Sequence, residues 1–349
     1  MRQDRRKFVQ LLGMGVASGL LGNPVMAWAD RIRVLGGGEN PDYPSLTQGR
    51  VSPVFQKFVG SIRVGESRSY RGLRVFWLYG GVPVVPLAMA TLEGARSQGS
   101  LHLTERDHAT VPELIVENRG KSHVLLLAGE ILLGGKQNRV LMEDVLLPPM
   151  SGPRHIGVYC VEQGRWSGRT QDFESKESFA APGLRSQVME KADQGRIWSE
   201  VNRYAQSADA ASPTQSYQEI YEKPDVKRHL EDVVKELGHR AGPGAVGAAV
   251  FVAESLAGLD LFSDAGLFAR EWPKLLRAQA LDAYRQPGRP FPEEWELQRR
   301  TEALLRAAGK VEGTLRTSVG VGRLFEYRLD RHRGSALVFD GRVIHAAIL

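Results

Sequence analysis

Apolar and polar residues alternate in short runs through the first half of the chain, and the period lengthens in the second. Leu101-His102-Leu103-Thr104-Glu105 repeats every two residues, as a strand with one buried face does. Ser61–Val64, Ser69–Tyr79, Glu113–Glu117 and His123–Ala128 read as further strands, the second of them rich in Val, Phe, Trp and Tyr. A short helix is expected over Leu92–Gln98, N-capped by Thr91 and closed by Gly99. Ile156–Val161 reads as another strand, with Ile156, Val158, Cys160 and Glu162 on one side. Helical spacing then dominates. It runs through Leu184–Ala208, weakened and split at Gly195, and through Asp225–Leu237, with Pro224 in the first turn and Gly238 as the stop. Ala245–Ala253 is an apolar strand. Gly266–Tyr284 and Pro292–Ala308 are helical, with Pro273 either in a first turn or kinking the element. Val311–Ser318, Leu324–Leu329, Ala336–Asp340 and Val343–Ile348 close the chain as strands, Asp340-Gly341 being a hairpin turn signal.

Strands, then helices, then strands define an α+β fold with mostly antiparallel sheet and a helical segment in the C-terminal half. The expected division is a flexible lead-in over residues 30–50 and a single α+β domain over 51–349, its helix-rich part about 184–308. The terminal strands are expected to return to the first sheet. A split into two domains near residue 170 is the alternative.

Residues 129–166 depart from this pattern. Apolar runs over Val124–Leu133 and Val140–Leu147 flank Gly134-Gly135 and a block of four polar residues, Lys136–Arg139. Glu130, Glu143, Asp144, Glu162, Arg165 and Trp166 lie close by in sequence. Polar groups tied to a core on both sides are tolerated only when paired or used. A two-residue Gly134-Gly135 turn would set Glu130 opposite Arg139, with Gln137, Arg139 and Glu143 on the side of Glu130. Arg, Lys and amide donors in one place suit phosphate or carboxylate recognition. The carboxylates of Glu143, Asp144 and Glu162 suit Mg²⁺ or general-base work. Cys160 is the one cysteine of the chain. An internal disulfide and cysteine-rich zinc sites are therefore excluded. His155 points to the other side of a regular strand, so Cys160 reads as a core thiol rather than a nucleophile.

Composition adds a compartment. The formal charge is +6, of which +3 sits in residues 1–29. The remainder is too small, and too free of basic–aromatic blocks, to imply a nucleic-acid partner. Arg5-Arg6-Lys7-Phe8 resembles a twin-arginine export motif, followed by an apolar run to Leu21 and a small-x-small site, Ala27-Trp28-Ala29. The run is shorter than the ~20 residues of a membrane-spanning helix. Residues 1–29 are therefore expected to be a twin-arginine signal peptide. The mature chain is expected in the periplasm without a stable membrane anchor, and the export machinery is one expected partner. Gly320-x-Gly322 lacks the rest of a dinucleotide fingerprint, and no Gly-x-Ser-x-Gly elbow occurs.

The run Gly129-Glu130…Gly134-Gly135-Lys136-Gln137-Asn138-Arg139…Cys160-Val161-Glu162-Gln163-Gly164-Arg165-Trp166 resembles the ADP-ribosylglycohydrolase- and rhodanese-phosphatase-superfamily-associated domain family. Weaker similarity extends through Val111-Pro112-Glu113-Leu114, Gly247–Phe262 and Gly341–His345. The resemblance implies a link to NAD-derived or ADP-ribosyl metabolism and names no reaction or cofactor. On the residues and the resemblance together, the expected partner is a phosphorylated small-molecule or nucleotide-derived ligand, bound or hydrolysed. Glu130 and Glu162 are the catalytic candidates. Lys136, Gln137, Asn138, Arg139, Arg165 and Trp166 are the ligand contacts, and no metal-ligand set is assigned. The alternative is a non-catalytic envelope binding or scaffold protein.

Overall fold

Leu73, Val75 and Trp77 point to one side of their strand and Phe76 and Leu78 to the other, yet all five are buried. That strand must therefore lie in the middle of a sheet covered on both faces. The computed structural model describes residues 47–81, 87–105, 112–165, 167, 170–284 and 290–349. Its elements begin with β1 (Thr47–Arg50), α1 (Pro53–Gly60), β2 (Arg63–Tyr70), β3 (Leu73–Tyr79), β4 (Met89–Ala90) and α2 (Leu92–Ser97). Then come β5 (Leu101–Thr104), β6 (Glu113–Asn118), β7 (His123–Leu126), β8 (Ile131–Gly134), β9 (Arg139–Leu141), β10 (Val145–Leu147), β11 (Gly152–Cys160) and β12 (Phe173–Glu174). The helical part holds α3 (Pro182–Met189), α4 (Gln194–Ala208), α5 (Gln218–Glu222) and α6 (Pro224–Leu237). Next are β13 (Ala245–Val252), β14 (Ser255–Phe262), α7 (Ala265–Ala283) and α8 (Glu294–Ala308). The last strands are β15 (Gly313–Thr317), β16 (Arg323–Leu329), β17 (His332–Phe339) and β18 (Arg342–Ile348).

The expected α+β class is what forms. Nine strands make one antiparallel sheet in the order β1-β15-β16-β17-β18-β14-β13-β3-β2. Strands from both ends of the described chain thus share it. A six-stranded sheet (β12-β8-β9-β11-β6-β5) and a three-stranded one (β10-β7-β4) come from the middle. Period-two alternation sorts the large sheet's side chains. Trp77, Ala248 and Val250 enter a core with α3, α4, α6 and α7; Phe76, Ala249 and Phe251 enter a second core with α1 and α8. A third core lies under the smaller sheets around Leu126, Leu132, Leu141 and Val158. Each large side chain fully buried in these layers contributes about 1.5–3 kcal/mol. Among the described residues, no helix is long and apolar enough to cross a membrane.

Several local expectations hold. Thr91 caps α2 by accepting from the Gly94 N–H at 3.1 Å. Leu184–Ala208 does divide into two helices, α3 and α4, but the break precedes the Asp193 cap and Gly195 lies in the first turn of α4. Asp340 and Gly341 both take positive φ in the β17–β18 hairpin turn. Others need correction. Ser69–Tyr79 is two strands, because Arg71 and Gly72 at φ 46° and 82° turn the chain. Residues 53–60, for which no helix was expected, form α1, started by the Ser52 cap and Pro53 at its first position. Ser255–Phe262 is a further strand, hydrogen-bonded between β13 and β18. Pro273 lies inside α7, past its first turn.

Candidate functional site

The hairpin β8–β9 stands between two cores. Ile131, Leu133 and Val140 pack into the helix-covered one, while Leu132 and Leu141 pack into that of the smaller sheets. Polar residues at its tip and base are consequently buried, and each must find partners inside the protein.

The tip differs from the expected two-residue turn. Leu132, not Glu130, faces Arg139, and Ile131 faces Val140. Gly134 is used as a strand residue instead, pairing with Phe173 of β12. Its φ is +145°, and a Cβ there would meet the Asp172 carbonyl oxygen at 2.2 Å. Residues 135–138 form a wider loop held by side chains. The Asn138 amide oxygen accepts from the Gly134 N–H at 3.2 Å, and the Glu105 carboxylate accepts from the Lys136 N–H at 3.2 Å. The expected Glu130–Arg139 pair is therefore absent. Arg139 pairs with Glu105 at 3.1 Å, donates to Gln137 at 3.2 Å and also donates to the Cys160 sulfur.

Around this loop the structure gathers most of the expected ligand-contact residues. Gln137 donates to the Glu162 carbonyl at 2.6 Å; Asn138 donates its N–H to the Glu162 carboxylate at 3.1 Å and its side chain to Ser216 at 3.1 Å. Arg165 donates to Glu162 at 2.7 Å, to Asn138 at 3.2 Å and to the Gly135 carbonyl at 2.7 Å. Trp166 lies outside the described residues. Burial pushes the Cys160 thiol up to about 11 although Arg139 opposes it, which disfavours the thiolate. Glu143, Asp144 and Glu162 do not converge. They pair with Arg316 at 2.5 Å, His345 at 2.6 Å and Arg165 at 2.7 Å.

Glu130 belongs to a second cluster at the base of the hairpin. Its carboxylate lies 2.5 Å from Lys274 of α7 and accepts from the Leu127 N–H at 3.1 Å. Lys274 also reaches Glu93 of α2 at 3.0 Å and Glu271 of α7 at 2.9 Å. Oxygens of Glu93, Glu130 and Glu271 all lie within 4.8 Å of one another. Burial pushes Glu130 up to about 8 despite Lys274, and raises Glu271 as well. Burial alone would lower the Lys274 ammonium, but Glu130, Glu271 and Glu93 together hold it well above its usual range. Lys274 in turn holds Glu93 low, against burial. Glu93 keeps 26% of its side chain exposed, so solvent reaches this edge of the cluster.

The turn 127–130 joins this group to a third set of charges. Ala128 donates its N–H to Asp144 at 2.8 Å and accepts from Arg185 at 3.0 Å. Arg185 pairs with Asp260 at 2.7 Å, and His345 bridges Asp144 at 2.6 Å and Asp260 at 3.1 Å. Burial would lower the His345 pKa, but the two aspartates raise it to about 9. Gly129 takes φ +106°, and a Cβ there would meet Phe179 at 2.8 Å and Arg185 at 3.2 Å. Glycine before Glu130 is thus required by conformation and by close approach.

Sequence reasoning missed Glu93, Arg185, Asp260, Glu271, Lys274 and His345. Asp260 in Leu-Asp-Leu-Phe and His345 in Val-Ile-His-Ala-Ala were visible as polar interruptions of apolar strands. Glu271 and Lys274 share a helix face by their three-residue spacing. The groove between α1 and the β17–β18 turn, lined by Pro53, Val54, Lys57, Phe58 and Arg342 among others, contains no member of these clusters.

Fold and site together define an α+β protein with large antiparallel sheets and a buried carboxylate–ammonium cluster beside a polar hairpin loop. The chain belongs to the ARG and Rhodanese-Phosphatase-superfamily-associated Protein domain family, whose model matches residues 61–349. Comparison with curated proteins and with solved structures gave no match.

Proposed function

We propose that the protein binds and hydrolyses a phosphorylated, ADP-ribose- or NAD-derived ligand, with Glu130 as the general acid. The carrying observation is Glu130 itself: fully buried, touching Lys274, and pushed up to about 8 among two further carboxylates. Such a carboxyl still holds its proton near neutrality and transfers it to a leaving group, while an ionised neighbour such as Glu93 supports the attacking water. Water's hydroxide joins the carbon, and the leaving group departs with the proton of Glu130. The proton of the attacking water passes to the ionised carboxylate. Glu162, engaged by Arg165 and Asn138, orders the loop in this reading. The family's name supports the ligand class only as an association.

Glu130→Gln is expected to lower turnover about 100-fold or more with binding retained. Turnover of ADP-ribose and NAD derivatives is to be followed alongside calorimetric titration. Equal turnover in the folded variant would remove Glu130 from the chemistry. Absence of any binding by the wild type across the panel would favour the scaffold reading. That second reading has its own support, because Arg139 and Arg165 already donate to protein acceptors.

Export by the twin-arginine route to the periplasm is part of the proposal, resting on Arg5-Arg6 and Ala27-Trp28-Ala29. Changing both arginines to lysine should hold precursor in the cytoplasm, as read by fractionation and immunoblot. Undiminished mature protein in the periplasm would defeat it.

A further inference from the structure

The base cluster has two buried groups with unused hydrogen-bonding capacity. Arg185 is 2% exposed. Its Nε donates to Ala128 and one terminal nitrogen to Asp260, but the other, Nη2, has no partner. Among the described residues it is the one terminal guanidinium nitrogen buried without a hydrogen-bond partner. Glu271 is 0% exposed; Lys274 meets its Oε2 at 2.9 Å, and its Oε1 has no partner. Phe179 links the two sides: Arg185 sits over its ring at 5.0 Å and the Lys274 ammonium at 6.0 Å. Buried donors and acceptors left open in this way cost stability unless something meets them.

The sign of the charge narrows what that something is. With Glu130 holding its proton, four carboxylates, Glu93, Asp144, Asp260 and Glu271, still face three cations, Arg185, Lys274 and His345. A phosphate offers only acceptors and would meet net negative charge here. A hydroxyl accepts from Arg185 and donates to Glu271, carries no charge, and comes attached to a ring whose C–H face suits Phe179. We propose that this cluster recognises the hydroxyl-bearing sugar of the ligand, with Arg185 and Glu271 as its specificity-determining residues. The phosphate is bound elsewhere. This assignment rests on the proposed function for its ribose, and on the two open side chains for its chemistry. The sugar approaches along the exposed edge of Glu93.

The test titrates the full protein with ADP-ribose, ribose and inorganic phosphate by calorimetry, with unfolding midpoints in parallel. Ribose should compete with ADP-ribose, and inorganic phosphate should not. Arg185→Lys keeps a charge beside Asp260 while losing the second terminal nitrogen. Glu271→Gln removes a buried charge on a different element. Each should weaken ADP-ribose binding about 10- to 100-fold and raise KM in the same proportion. If Arg185→Lys fails to fold, Glu271→Gln decides alone. Unchanged affinity in a folded variant, or phosphate competing as well as ribose, overturns the assignment and leaves the hydrolytic reading standing. Ribose binding that both substitutions abolish, without turnover of any ADP-ribosyl compound, supports the assignment and removes the hydrolytic reading. A wild type that binds none of the three probes overturns both.

Discussion

Lys274→Met is expected to cost about 3–5 kcal/mol of stability at pH 8, the loss that follows from stranding buried charges. The ammonium stands 2.5–3.0 Å from three carboxylates drawn from α2, the 127–130 turn and α7. Methionine fills a similar volume, so packing changes little. What remains is mutual repulsion among Glu93, Glu130 and Glu271. Protonation relieves it, and Glu130 and Glu271 are already raised toward their acid forms by burial. The cost should therefore shrink when the pH is lowered to 5. Urea unfolding of wild type and variant at both pH values reads the difference directly. Adding Glu271→Gln to Lys274→Met should recover part of the loss at pH 8. An identical cost at the two pH values would mean that the lysine contributes packing and not charge.

A second large effect concerns alkaline pH. His345 is fully buried against Asp144 and Asp260, with Arg185 sharing Asp260, Phe262 packed at 4.6 Å, and Glu271 within its electrostatic reach. Its folded pKa, about 9, lies above the usual 6.5. A raised histidine stabilises the fold fully below the unfolded pKa, and that contribution is lost as pH rises through the folded one. The window is thus pH 6.5 to 9, and the amount about 3 kcal/mol. Glu130 loses stability with rising pH in the same direction, because its folded pKa is also raised. The informative quantity is accordingly the difference between wild type and His345→Gln. That difference should be largest near pH 6 and fall toward pH 9.5 in chemical unfolding. A gap that is flat with pH would show that His345 is held neutral.

What could be read from the residues was what the residues decide locally. Thr91 capping α2, Pro224 opening α6, the Asp340-Gly341 turn and the period-two burial of β5 all depend on neighbours a few positions away. The block Gln137-Asn138-Arg139 with Glu162 and Arg165 was also legible as a unit, because its members are brought together by adjacent strands, β9 and β11. The hairpin register was not. Gly134-Gly135 carries a turn signal, but Gly134 is claimed by β12 and Lys136 by Glu105, both remote in sequence. The same limit hid the partners of Glu130. Glu93, Glu271 and Lys274 are ordinary helix-surface residues until α2 and α7 pack against the 127–130 turn.

The layout of the large sheet sets how the molecule reaches this state. Thr47 pairs with Leu315 across β1 and β15, and Trp77 with Ala248 across β3 and β13. Such neighbours meet only after long stretches of chain have closed, so the relative contact order is high and folding is paced by that closure. The six-stranded sheet closes shorter stretches, its most separated strand partners being Gly157 and Glu113, so its closure is faster. Pulse-labelled hydrogen exchange during refolding should accordingly find β5, β6 and β11 protected before β3 and β13. Until the large sheet docks, Lys274 and its carboxylates remain hydrated, and the desolvation that sets their proton affinities arrives with the slowest step of folding.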